Sequence, residues 1–153
     1  MKLLKSFYYA FCGVMNCVKN ETNFRIHIVA MLSVIWFSYV YNVPSHEKAI
    51  LVILISLVMV GELMNTAIEA MVDIISPEKN HLAKLAKDSA AGAVLIFALS
   101  AVICAVFLFS DMEKWTENVI PFIEGYWYYL AGYIILSWFF IFKCGAGKEK
   151  RKR

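Results

Sequence analysis

Four long apolar blocks, separated by short polar breaks, constrain this chain more than any other feature of its sequence. A helix that crosses a bilayer needs ~20 mostly apolar residues. The blocks run roughly from Ile26 to Val43, Ala49 to Ile75, Ala90 to Phe109 and Val119 to Phe142. Between them stand Asn42-Val43-Pro44-Ser45, Ser76-Pro77-Glu78-Lys79-Asn80 and a polar stretch from Asp111 to Asn118. With 61% hydrophobic and 18% charged residues over 153 positions, a disordered chain, a coiled coil and a nucleic-acid-binding tail are excluded. The expected fold class is all-α integral membrane, with four spans.

The N-terminus carries a further helix. Phe7, Phe11, Val14, Met15 and Val18 repeat at helical spacing, and no signal-peptide cleavage pattern follows them. This pattern predicts an amphipathic helix lying on the membrane surface. Cys12, Cys17, Cys104 and Cys144 form no CxxC pair and read as small hydrophobes, without ligand spacing for zinc.

Charge sets the orientation. Of the fifteen Lys and Arg residues, thirteen fall before the first span, between the second and third, or after the fourth. Only Lys48 and Lys114 lie in the other two connections. Positive residues stay cytoplasmic, so both termini and the 76–88 connection are expected in the cytosol. Four spans put both ends on one side, in agreement.

The second block carries the chemistry. Glu62, Asn65, Glu69 and Asp73 follow one another at spacings of three, four and four, which puts them on one helical face. If the hydrocarbon core begins near Ala49, ~20 residues bring its inner boundary to about Ile68. Glu62 then lies inside the membrane, Glu69 at its edge and Asp73 beyond it. Carboxylates at such depth cost roughly 2.5–3.5 kcal/mol each on insertion scales, which marks them as functional. Glu62 suits a general base for a hydroxyl held at membrane depth. The lower carboxylates suit Mg²⁺, which takes oxygen ligands and shares them with phosphates.

Lys84, Lys87 and Asp88 open the third helix, where lysines can meet an anion or simply anchor the helix at the interface. Glu21, in Lys19-Asn20-Glu21-Thr22-Asn23-Phe24-Arg25, is a further candidate metal ligand. His27 reads as an interfacial side chain, His46 has no role on the outer side, and His81 is a weak nucleotide contact. There is no GxxxxGK[ST] and no GxGxxG. Residue chemistry alone leaves phosphoryl transfer to a lipid hydroxyl and cation or proton relay both open.

The run Glu62-Leu-Met-Asn65-Thr-Ala-Ile-Glu69-Ala-Met-Val-Asp73, followed by Ala83-Lys-Leu-Ala-Lys87-Asp88-Ser-Ala-Ala-Gly-Ala-Val94, closely resembles the small prokaryotic diacylglycerol kinase family. The resemblance covers about Lys2 to Phe109. Within that family, Glu21-x-Asn23-Phe24-x-x-His27 and His81-Leu-Ala-Lys-x-Ala-Lys-Asp look more like the undecaprenol kinases of Gram-positive bacteria.

The resemblance implies a homotrimer in the bacterial inner membrane, with active sites between protomers near the cytoplasmic face. ATP would come from the cytosol and the lipid alcohol, undecaprenol or alternatively diacylglycerol, from the membrane. It further implies Glu62 as the base with Asn65 organising its site, and Glu21 and Glu69 as ligands for Mg²⁺. Asp73 and Asp88 would contact nucleotide, and Lys87 its phosphates. Two features depart from the family pattern. Lys2 stands where an arginine is frequent, keeping the charge without the fork. Members of this type usually end after the third span, so residues 1–110 read as the kinase domain and 111–153 as an added span with a basic tail.

Overall fold

The computed structural model describes residues 2–78 and 80–143. The expected position of Lys79 and the basic tail from Lys148 to Arg153 lie outside the described residues. All the described elements are helices: α1 (Lys2–Asn20), α2 (Thr22–Val40), α3 (Ser45–Ile75), α4 (His81–Leu108), a short α5 (Met112–Lys114) and α6 (Ile120–Lys143). A π-helical turn, Trp115–Val119, joins α5 to α6. Four stretches are long and apolar enough to cross a membrane: α2, α3, α4 and the continuous run Met112–Lys143. The four expected spans are therefore present, with α1 outside them.

Helix ends differ from the apolar limits for a physical reason. Hydropathy marks where lipid begins, whereas capping and backbone bonding decide where a helix stops. The helices of the second and third spans are longer than a hydrocarbon core of ~30 Å requires: 31 residues of α3 make about 46 Å and 28 residues of α4 about 42 Å. α4 begins at His81 rather than near Ala90. Asn80 caps it, its side chain accepting from the Leu82 amide at 2.8 Å.

The α2–α3 turn is equally local in origin. Asn42 adopts the left-handed conformation (φ 58°), which asparagine tolerates better than most residues. The Val43 amide then bonds the Ser38 carbonyl (2.9 Å) and the Asn42 amide that of Tyr39 (3.1 Å). This is the Schellman closure of a helix end. Pro44 follows, its preset φ leading into α3.

A buried cluster of Tyr41, Val43 and Val119, with Phe37, Phe109 and Trp115 against it, ties the α2 end to the α4 end and to the turn before α6. The Tyr41 hydroxyl donates to the Asp111 carbonyl (2.9 Å) and the Trp115 indole to that of Phe109 (2.7 Å), so the polar tips are satisfied. From there α6 runs back antiparallel to α2. Trp36 meets Phe122 edge-on at 5.2 Å, Ser33 meets the Tyr133 hydroxyl at 2.9 Å, and Arg25 reaches the Ile141 carbonyl at 2.8 Å. The π-turn sits just before Pro121, whose ring would crowd a carbonyl in a regular helix. Many large apolar side chains on α3, α4 and α6 face outward, such as Ile53, Ile96, Phe107 and Leu136, as a protein in lipid requires.

Candidate active site

The ladder on α3 lies against α2 and α4. Glu62 is 3% exposed and Asn65 is buried, Glu69 is half-buried, and Asp73 is exposed. Burial within the protein thus falls along the ladder from its first member to its last. Gly61 permits this arrangement. A Cβ there would stand 2.9 Å from the Phe97 ring, so the absence of a side chain lets α4 close on α3 beside Glu62.

The polar contacts join two helices. Asn65 Nδ2 donates to Glu69 Oε1 at 3.1 Å, which fixes the orientation of that carboxylate. Its other amide atom, Oδ1, is buried without a hydrogen-bond partner among the described residues. Such an orphan acceptor is costly unless a ligand uses it. Asn23, in the first turn of α2, hydrogen-bonds the Glu62 carboxyl, and Glu21 and Glu69 are close enough to act on it electrostatically. The α1–α2 elbow, where Glu21 has extended backbone between two helices, is therefore folded onto the α3 ladder. Thr66 instead bonds its hydroxyl back to the Glu62 carbonyl (3.0 Å).

Asp73, Lys87 and Asp88 come together where α3 turns into α4. They line an open cleft of about 500 Å³ with His81 and Lys84. Lys87 Nζ contacts Asp73 Oδ1 at 2.5 Å, with the two side chains 35% and 69% exposed. A pair this wet contributes little stability, about 0–1 kcal/mol, so a phosphate can displace its carboxylate cheaply. At the other end of the ladder, one turn before Glu62, an apolar cavity of about 340 Å³ is bounded by α2, α3 and α4. Its lining includes Val58, Met59, Val34 and Ala101, and His27 is its one ionisable member.

Among the described residues, no three His, Cys, Asp or Glu side chains converge to hold a metal by themselves. In phosphoryl transfer Mg²⁺ keeps waters and takes one or two protein carboxylates plus substrate phosphates. Glu21 and Glu69, both near enough to Glu62 to act on it electrostatically, offer oxygen atoms of the kind Mg²⁺ takes.

A model of the prokaryotic diacylglycerol kinase family matches residues 8–109. The chain belongs to this family. Over 102 residues it is 44% identical to a diacylglycerol kinase of Synechocystis, covering 66% of this chain and 58% of that protein. It is 37% identical over 108 residues to the undecaprenol kinase of Bacillus subtilis, covering 71% and 88%. With the diacylglycerol kinase of Escherichia coli it shares 35% over 102 residues, covering 67% and 84%. As a member of the diacylglycerol kinase family the chain is a multi-pass membrane lipid kinase that uses ATP. The family match ends at the C-terminus of α4 and leaves α5 and α6 outside it.

Sequence reasoning overlooked two contributors. Asn23 stands in the polar interfacial cluster and in the subfamily pattern with no role of its own, and Arg25 counts only as an orienting charge. The available signal was position: Arg25 stands where an apolar span is about to begin, and its side chain is 2% exposed.

Proposed function

We propose that this kinase phosphorylates undecaprenol with MgATP at the α3 ladder, at the cytoplasmic face of the bacterial inner membrane. The observation that carries this reading is the order of environments along one helix. An apolar cavity comes first, then the buried Glu62 carboxyl, then the half-buried Glu69, then an open cleft that holds Lys84 and Lys87. A lipid alcohol and a nucleotide triphosphate need those environments in that order. A cation or proton relay would have no use for the cleft.

Glu62 accepts the proton of the lipid hydroxyl, and Asn65 organises that site through its bond to Glu69. The alcohol oxygen attacks the γ-phosphorus as the bond to the β-phosphate oxygen breaks, giving lipid phosphate and ADP. Glu21 and Glu69 hold Mg²⁺, which neutralises phosphate charge when bound. Lys87 leaves Asp73 for the phosphates, while Asp73 and Asp88 contact the rest of the nucleotide. Catalysis of this kind is positioning plus charge stabilisation. The kinase unit is residues 1–110, assembled as a homotrimer with sites between protomers, and both termini are cytoplasmic. Residues 111–153 are an addition to it.

Undecaprenol is preferred on the Glu21-x-Asn23-Phe24-x-x-His27 pattern, with diacylglycerol as the alternative acceptor. The test is phosphoryl transfer by purified protein in lipid nanodiscs given MgATP and either lipid. Undecaprenol should be labelled faster, and Glu62→Gln should lose about 10²- to 10⁴-fold in kcat. Preference for diacylglycerol would transfer the same chemistry to the other acceptor. A fully active Glu62→Gln would remove the base.

A further inference from the structure

The C-terminal helix α6 lies outside the family match, yet it reaches the site through one side chain. Arg25 is 2% exposed and forms no ion pair with a carboxylate among the described residues. Its Nε donates to the Ile141 carbonyl at 2.8 Å. One terminal nitrogen donates to the carbonyls of Val18 (3.0 Å) and Lys19 (3.2 Å), the other to the Thr22 hydroxyl (3.0 Å). Val18 and Lys19 lie in the last turn of α1, and Ile141 in the last turn of α6. Carbonyls there have no partner within their own helix. Each helix C-terminus carries roughly half a negative charge, so two of them match one guanidinium. Arg25 thereby caps two helices at once, which explains how a buried cation is tolerated without a carboxylate.

Two residues before Arg25 is Asn23, which bonds Glu62, and four before it is Glu21. The Arg25 amide bonds the Glu21 carbonyl at 3.3 Å. We infer that Arg25 is a positioning residue and α6 a working part of the catalytic unit: the last turn of α6, through the Arg25 guanidinium, sets the α1–α2 elbow that presents Glu21 and Asn23 to the α3 ladder. This rests on the reading of Glu21 as a metal ligand given above. Lysine cannot replace this fork, because its ammonium is a single point that cannot span carbonyls of two helices and a hydroxyl.

The test is Mn²⁺ binding to full-length protein in nanodiscs, read by electron paramagnetic resonance with a non-hydrolysable ATP analogue, alongside the Mg²⁺ requirement of turnover. Glu21→Gln serves as the reference. Arg25→Lys should weaken Mn²⁺ about tenfold and raise the Mg²⁺ requirement to match, as loss of a support behind a metal ligand does. The KM for lipid should stay within about twofold, because the apolar cavity is untouched. A folded Arg25→Lys with parental Mn²⁺ affinity overturns the inference. Should Arg25→Lys fail to fold, Tyr133→Phe decides. It removes the bonds from α6 to Ser33 (2.9 Å) and Val29 (3.1 Å), far from the carboxylates in sequence. It should weaken Mn²⁺ about threefold, given the strength of a single bond between membrane helices, and unchanged affinity overturns the inference. If Glu21→Gln binds Mn²⁺ like the parent, the metal reading of Glu21 falls first, whatever Arg25 does.

Discussion

Lys87 holds the clearest test at the scale of single residues. Its ammonium rests on Asp73 in a wet cleft, so its removal should cost little stability and much nucleotide affinity. Lys87→Met is expected to raise the KM for ATP about tenfold or more, while thermal unfolding in detergent shifts by no more than about 1 kcal/mol. A large loss of stability with unchanged KM would make the pair structural. The ladder itself was readable as spacing, because a helical period of 3.6 residues fixes which side chains share a face before any packing is known. What periodicity does not contain is the contact between faces. Asn23 reaching Glu62, and Asn65 spending its amide on Glu69 while leaving Oδ1 unused, depend on how α2 is laid against α3. Glu21 was singled out from its polar surroundings and the family pattern, and its proximity to Glu62 appears only once the elbow is folded.

Among the elements, the α3–α4 hairpin carries the site, and Gly61 is its closest approach. Gly61→Leu would drive a side chain into the Phe97 ring, 2.9 Å from the new Cβ. Overpacking of this kind costs about 1–3 kcal/mol. It should also lower kcat, because the wedge acts at the residue next to Glu62. Gly61→Ala should be milder, since the ring can turn. Thermal unfolding and turnover of both variants check this, and a Gly61→Leu that matches the parent in both would show that the helices are not closely packed there. The four spans were legible in the sequence because lipid demands unbroken apolar runs. Their ends were not, because Asn80, Pro44 and the left-handed Asn42 close helices through local bonds that hydropathy ignores. The π-turn before Pro121 was missed for the same reason.

Taken as a whole, the molecule leaves most of its apolar surface uncovered. The window that qualifies α4 as a span is 6% buried and that of the last span 0%. Lipid can cover those faces, but a kinase must also shield a polar ladder from lipid, and one chain this small has few helices for the task. The homotrimer proposed above provides more. Cross-linking in native membranes should give a ladder ending at three chains, and a ladder ending at two would exclude it. A reporter fused after Arg153 should respond as cytoplasmic, because thirteen of the fifteen cations lie on that side. The arrangement of α6 was not legible at this scale: its apolar run announces a span, but only the pairs Trp36–Phe122, Ser33–Tyr133 and Arg25–Ile141 tell which helix it lies along.

The bond between Arg25 and Ile141 closes over a separation of 116 residues. It therefore imposes an order in time. Residues that hold the first turn of α2 are made early, and the Arg25 guanidinium has to wait for the last turn of α6 before its donors are filled. Throughout synthesis the nascent protein holds an elbow that is only partly tethered. A chain interrupted before Ile141 would insert its first three spans and still lack that tether.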